Sequence, residues 1–207
     1  MVRDGYWYGL ALAAVAVAVW FGTGRVALTL IPVLVAAFFL WFFRDPERAI
    51  PEGEGLIVSP GDGNVQAAEV VETADGPRLR VTIFLSVFNV HVNRVPIAGT
   101  VTLVEHRAGK FLNAMKQESA VENEQTLIVL DGGGYTVAFK QIAGLLARRI
   151  VCNLKAGDVV RRGQRMGLIK FGSRVDVLMP VDAQLEVKVG DTVSGGSSVL
   201  AKLAAQA

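Results

Sequence analysis

From Gly5 to Phe43 the chain carries a single formal charge, Arg25, and nothing else in it restricts the fold so strongly. Arg25 divides two apolar runs, YWYGLALAAVAVAVWF (6–21) and VALTLIPVLVAAFFLWFF (26–43). Their 16 and 18 residues fall just short of the roughly 20 that cross a bilayer at right angles. The short GTGR link suits a helical hairpin. Trp7, Tyr8, Trp20 and Trp41 stand near the run ends, where amphipathic rings favour the membrane–water interface. Such a segment can span or shallowly enter a membrane, act as a secretory leader, or pack as a buried pair in a soluble fold. A second apolar run and the lack of a convincing cleavage site argue against a leader. Residues 1–47 are therefore expected to form a membrane-associated hydrophobic helical hairpin. Arg3, Arg44 and Arg48 flank it on one side and Arg25 alone on the other. That bias places both ends, and the domain that follows, at the cytoplasmic face of the cell membrane.

Residues 48–207 are enough for one domain with its own core. Short β-rich runs recur between turn signals: LIV (56–58), VQAAEVVE (65–72), RLRVTIFL (78–85), GTVTLVEHR (99–107), QTLIVLD (125–131) and YTVAFKQI (135–142), then MGLIKF, RVDVLM, AQLEVKV and SVLAKL. Helical patterns are sparse, at KFLNAMKQ (110–117) and IAGLLARRI (142–150). The expectation is a mostly β (α+β) fold, largely antiparallel. AGDVVRRGQRMGLIKF (156–171) and VGDTVSGGSSVLAKL (189–203) share the frame G-D-x-V-x-x-G before an apolar strand. That repeat gives the domain a lipoyl-like barrel-sandwich character, although no lysine stands at a hairpin tip as a lipoyl carrier needs.

Several classes of function drop out. A net charge of +2 leaves no nucleic-acid footprint. One cysteine, Cys152, excludes an internal disulfide and reads as a small core residue. With only His91 and His106 beside it, no zinc-ligand set assembles, and a metal enzyme is not expected.

Four stretches hold residues with chemical potential. In SPGDGNV (59–65), Asp62 is either ordinary turn chemistry or a carboxylate held to orient an imidazole. In FNVHVNRVP (88–96), strand alternation sets Val90 and Val92 on one face and His91 with Asn93 on the other. GKFLNAMKQESAVENEQT (109–126) is a solvated helix and loop, or a flap over a site for a charged head group. KFGSRVDV (170–177) puts Gly172 and Ser173 inside a strand, as a bulge or as something more. No G-x-S-x-G elbow is present for a conventional serine hydrolase. A serine that attacks the carbonyl of its own preceding residue needs that residue unhindered and free, which glycine provides. It also needs a base, and a group to orient that base. The resulting ester can break by β-elimination, and hydrolysis then leaves a pyruvoyl group at a new chain start.

With these residues quoted, the chain resembles the short-type phosphatidylserine decarboxylases. FFRDPER (42–48), SPGDGNV, FLSVFNVHVNRVP (84–96), GKFLNA (109–114), ENEQT (122–126), QIAGLLARRIVC (141–152) and GLIKFGSRVDVLMP (167–180) carry the likeness in order. The resemblance implies self-cleavage between Gly172 and Ser173 into a β chain, 1–172, and an α chain, 173–207. These would form a heterodimer, with a dimer of such pairs left open. Ser173 would become the pyruvoyl cofactor, whose ketone forms a Schiff base with phosphatidylserine in the membrane and releases carbon dioxide and phosphatidylethanolamine. His91 and Asp62 match family positions and would complete a processing triad with Ser173. Longer members carry two histidines three apart in this segment, and the second of those positions here is Arg94. Either His91 serves both self-cleavage and decarboxylation, or Arg94, with Asn93, helps bind the substrate carboxylate or phosphate. The competing reading is a membrane-anchored, non-enzymatic adaptor with a lipoyl-like β domain, which would stay one uncut chain. GGSS (195–198) reads as a turn in the repeated frame rather than a second cleavage site.

Overall fold

The computed structural model describes residues 2–116, 118–145, 149–170 and 172–203. The chain divides into two units, Met1–Glu47 and Arg48–Ala207. The first is the expected hairpin, α1 (Arg3–Thr23) and α2 (Val26–Phe42). The helices meet on small residues. A Cβ on Gly9 would stand 2.8 Å from Leu40 Cδ2, and Ala16, Pro32 and Ala36 are buried. Small side chains let apolar helices approach closely enough to pack without help from water. Tyr8 stacks within 5.6 Å of Phe43, and the Val2 N–H donates to Phe43 O at 3.0 Å, closing the open end. Trp7, Leu10, Phe21 and Leu34 are left exposed. The segment Asp4–Thr23, 20 residues with a mean hydropathy of 1.5, is long and apolar enough to cross a membrane.

The second unit is β-rich. Its strands are β1 (Leu56–Val58), β2 (Gly63–Thr73), β3 (Gly76–Leu85), β4 (Val92–Arg94), β5 (Gly99–Arg107), β6 (Gln125–Asp131) and β7 (Thr136–Ala143). Then come β8 (Ile150–Cys152), β9 (Val159–Val160), β10 (Arg165–Ile169), β11 (Ser173–Met179), β12 (Gln184–Leu185), β13 (Thr192–Val193) and β14 (Val199–Lys202). One short helix, α3 (Ser119–Glu122), precedes β6. Among the described residues, an eight-stranded antiparallel sheet runs β13-β2-β3-β11-β7-β6-β5-β9, with two three-stranded sheets, β1-β14-β12 and β4-β10-β8.

Period-two alternation explains the layering. Val175, Val177 and Met179 of β11 share one face with Leu79, Val81, Ile83 and Leu85 of β3 and Val137 and Phe139 of β7. All belong to one buried cluster with Ile57, Leu200, Met166 and Ile169 from the smaller sheets. On the other face of β11, Arg174 and Asp176 form a buried bidentate pair at 2.6 and 2.9 Å, and Thr82 Oγ1 donates to Asp176 Oδ1 at 2.9 Å. The expected strands at 56–58, 99–107 and 125–131 match β1, β5 and β6 residue for residue.

The repeated frame has a structural meaning. β9 pairs with β5 and β13 with β2, so the two copies close the opposite edges of the large sheet. Asp158 Oδ2 accepts from the Lys155 N–H at 2.8 Å, and Asp191 Oδ2 from the Lys188 N–H at 2.9 Å. Gly157 N–H donates to Val101 O, and Gly190 N–H to Val65 O. The two turns are built alike, bond for bond.

Both expected helices are corrected. Residues 110–116 form a bridge and turns, and the helix in this region is Ser119–Glu122. Ile142 and Ala143 finish β7, and residues 144–145 are irregular; residues 117 and 146–148 of those expected helices lie outside the described residues. Pairing along β7 outweighs the local apolar spacing, since Ile142 and Ala143 face Arg174 and Ser173 across the ladder. Cys152 is only half-buried, and burial pushes its thiol above the usual range.

Phe139 is fully buried at the centre of the cluster. Phe139→Ala should lower stability by about 3–5 kcal/mol, read as a reduced denaturant midpoint with an unchanged slope.

Candidate active site

Ser173 is the first residue of β11, opposite Leu85 on one side and Ala143 on the other. Its side chain extends the inner face of the sheet and is 0% exposed. Among the described residues its Oγ has no hydrogen-bond partner. A buried, unpaired hydroxyl costs roughly 1–3 kcal/mol, so the fold holds this group against a penalty.

Gly172 lies one step outside the strand, at φ +63°. A Cβ there would meet nothing nearer than Val87 Cγ1 at 3.9 Å, so the backbone conformation, not crowding, requires glycine. Gly144 meets a different demand. A Cβ on it would stand 2.4 Å from the Gly172 carbonyl oxygen and 3.2 Å from its carbon. The bare backbone of Gly144 thus lets the carbonyl of the Gly172–Ser173 bond lie against it. The same Cβ would be 3.2 Å from Ala114 Cβ, which brings the 109–124 segment to this point. Asn123, fully buried, staples that segment down: its Nδ2 donates to Leu112 O at 2.9 Å and to Ala143 O at 2.7 Å.

His91 is 2% exposed and reaches the junction directly. The Gly172 N–H donates to its Nε2 at 3.2 Å, and its Nδ1 lies 2.9 Å from Asn89 O. A carbonyl only accepts and an amide N–H only donates, so both contacts call for the neutral tautomer protonated on Nδ1. The basic lone pair on Nε2 is then the one presented to Gly172. Asn89 is itself fixed, its Oδ1 accepting from the Ser86 N–H at 2.8 Å and Ser86 Oγ at 2.7 Å. His91 precedes β4 rather than lying in it, and Val90, His91, Val92 and Asn93 are all buried, so neither side of this stretch opens to water.

The other expected site residues are placed differently. Asp62 takes Arg48 Nη2 on both oxygens, at 3.0 and 2.7 Å, and the Gly195 N–H on Oδ1 at 2.8 Å. The orienting acceptor for His91 is therefore a backbone carbonyl, that of Asn89. Asn93 is 0% exposed, with Nδ2 donating to Pro60 O at 3.3 Å and Oδ1 accepting from Gln141 Nε2 at 2.8 Å. Arg94 is 6% exposed and donates through Nη1 to Gly163 O at 3.1 Å. The structure joins Ser173, Gly172 and His91, and bonds Asp62 to Arg48 and the Gly195 N–H, Asn93 to Gln141 and Pro60 O, and Arg94 to Gly163 O. Sequence reasoning missed Gly144, Asn89 and Gln141; the only signal for Gly144 and Gln141 was the quoted stretch QIAGLLARRIVC. A cavity of about 780 Å³, lined by Tyr135, Arg162 and Pro180, lies beyond the far end of β11, away from this junction. Among the described residues no group of three or more His, Cys, Asp or Glu side chains could hold a metal.

The model of the family described as phosphatidylserine decarboxylase matches residues 35–201. A protein of Solibacter usitatus named phosphatidylserine decarboxylase proenzyme is 49% identical over 203 residues, covering 98% of this chain and 96% of its own. Proteins of the same name from Magnetococcus marinus and Burkholderia pseudomallei are 43% and 42% identical, over 98% and 100% of this chain and 95% and 96% of theirs. The chain belongs to the phosphatidylserine decarboxylase family.

Proposed function

We propose that this chain is a proenzyme that cuts itself between Gly172 and Ser173 and then decarboxylates phosphatidylserine to phosphatidylethanolamine. The observation that carries the reading is the hydrogen bond from the Gly172 N–H to His91 Nε2, beside the buried hydroxyl of Ser173. Ser173 Oγ attacks the Gly172 carbonyl carbon; the C–N bond breaks, and the hydroxyl proton passes through His91 Nε2 to the departing nitrogen. Loss of the Cα proton of residue 173 then expels the Gly172 carboxylate from Cβ. Water replaces the nitrogen, which leaves as ammonia, and a pyruvoyl group remains at the start of residues 173–207.

The residues present fit that group. The position is dry, its methyl would lie where a hydroxyl had no partner, and glycines at 172 and 144 leave its surroundings uncrowded. Joined to a substrate amine, a pyruvoyl ketone supplies an electron sink for loss of carbon dioxide. His91, the titratable side chain bonded at the junction, is the group we assign to return a proton to the product carbon. Asp62 ties the turn carrying Gly195 to Arg48, while Asn93 and Arg94 hold the supporting turns rather than the substrate. The two fragments stay together, because β11, β13 and β14 of one are paired to β3, β7, β2 and β1 of the other.

The membrane setting follows the same logic. Val87 and Gly144 lie against Gly172, and Ala114 against Gly144, and each of the three is followed by an exposed apolar residue: Phe88 at 69%, Met115 at 60% and Leu145 at 63%. An exposed apolar rim of this kind, in a chain that also carries an apolar hairpin, suits a two-chain lipid whose tails remain in the bilayer, and we assign the domain to the cytoplasmic surface of the cell membrane.

On a denaturing gel the wild-type protein should resolve into two fragments, whereas Ser173→Ala should run as a single chain of 22.1 kDa. Wild-type protein that never cuts would overturn the proposal. His91→Ala should slow cutting by about 10²-fold or more, measured as the half-time for appearance of the small fragment. Removing residues 2–43 should shift the protein from the membrane pellet to the supernatant after cell lysis.

A further inference from the structure

Four buried side-chain atoms lack a hydrogen-bond partner among the described residues, and two of them are neighbours on one sheet face: Ser173 Oγ, a donor, and Gln141 Oε1, an acceptor. Ser173 pairs with Ala143, and Gln141 with Val175, so the two residues are diagonal partners across β11 and β7. Diagonal residues have Cα atoms about 7–8 Å apart, a gap that a long side chain bridges. Both side chains are 0% exposed, on a face that is mostly Val, Leu, Ile, Phe and Met, with Ala143 opposite Ser173 and the buried Thr126 opposite Gln141. A glutamine in such a layer needs a reason.

The direction of its amide is fixed. Pro60 O can only accept, so Asn93 must present Nδ2 to it, at 3.3 Å, and turn Oδ1 the other way. That oxygen requires a donor, Gln141 Nε2 at 2.8 Å, which leaves Gln141 Oε1 as the free end of the relay. An acceptor anchored through two side chains to a backbone carbonyl thus stands on the residue diagonal to a serine whose hydroxyl has no partner among the described residues.

We propose that Gln141 is a positioning residue for self-cleavage: its Oε1 accepts the Ser173 hydroxyl and holds Oγ in the rotamer that attacks the Gly172 carbonyl. This rests on the self-cleavage reading above. A hydroxyl has one proton and two lone pairs. With the proton on Gln141, a lone pair faces the carbonyl carbon. Rotation about Cβ–Oγ, which moves no heavy atom, then hands the proton to His91 Nε2 as the new O–C bond forms and the C–N bond breaks. Gln141 itself neither gains nor loses a proton.

The test compares cutting half-times of the full chain in detergent for wild type, Gln141→Met and Gln141→Glu. Methionine keeps the length and removes both the acceptor and the donor to Asn93 Oδ1; glutamate loses that same amide donor but keeps an acceptor oxygen. Gln141→Met should cut about ten-fold more slowly, and Gln141→Glu should cut faster than Gln141→Met. To separate positioning from folding, both variants are also placed in the uncut Ser173→Ala chain, where each loses the amide donor to Asn93 and Gln141→Met should have a thermal midpoint no lower than that of Gln141→Glu. Gln141→Met that cuts at or above the wild-type rate overturns the inference and leaves the self-cleavage proposal standing. A Gln141→Glu that cuts no faster than Gln141→Met, or whose midpoint is the higher of the two, also overturns the inference, because the role is then structural. Failure of wild type itself to cut removes the reading beneath it.

Discussion

The ladder that grips β11 on both sides stops at Ser173, and the rest of the site depends on where it stops. Ser173 is paired to Leu85 and to Ala143, so its backbone cannot drift. Gly172, one residue earlier, turns out of the ladder at φ +63°. A rigid residue thus follows directly on one whose conformation only glycine adopts cheaply. The nucleophile is fixed by the sheet, and the carbonyl beside it is presented by the turn. His91 and Gly144 then approach that carbonyl's residue from two other parts of the chain, and neither would serve if β11 were an edge strand free to fray.

The framework around this point is economical. The two G-D-x-V-x-x-G turns close the edges of the large sheet, each fastened by an aspartate to the backbone three residues earlier. One of them also supplies Gly195, whose N–H meets Asp62, and Asp62 in turn holds Arg48. Asp62, the carboxylate that sequence pattern marks as a catalytic partner, also clasps the start of the domain to its last third in the folded chain. The imidazole is oriented more simply, by the carbonyl of a turn two residues before it.

Much of the architecture was legible in the sequence. Strands at 56–58, 99–107 and 125–131 were readable because each is bounded by turn residues, and the hairpin because one arginine interrupts nearly forty uncharged positions. Failures came where distant pairing overrides local pattern. Ile142 and Ala143 have a helix-like spacing, yet their partners on β11 lie thirty residues on. Likewise, Asp62 is separated from Gly195 by 133 positions and Asn93 from Gln141 by 48, distances over which one sequence carries no signal of contact. Ser173 and Gly172 could be singled out because their chemistry is local. Gly144 could not, since its role is the absence of an atom near a carbonyl from another segment.

The whole account turns on the fate of one peptide bond, and the mass of the small fragment from mature protein decides it. A fragment spanning residues 173–207 and lighter by one ammonia than the same peptide with a serine terminus is the predicted result. A fragment that keeps its serine, or one that begins elsewhere, such as in the turn at 195–198, would contradict it.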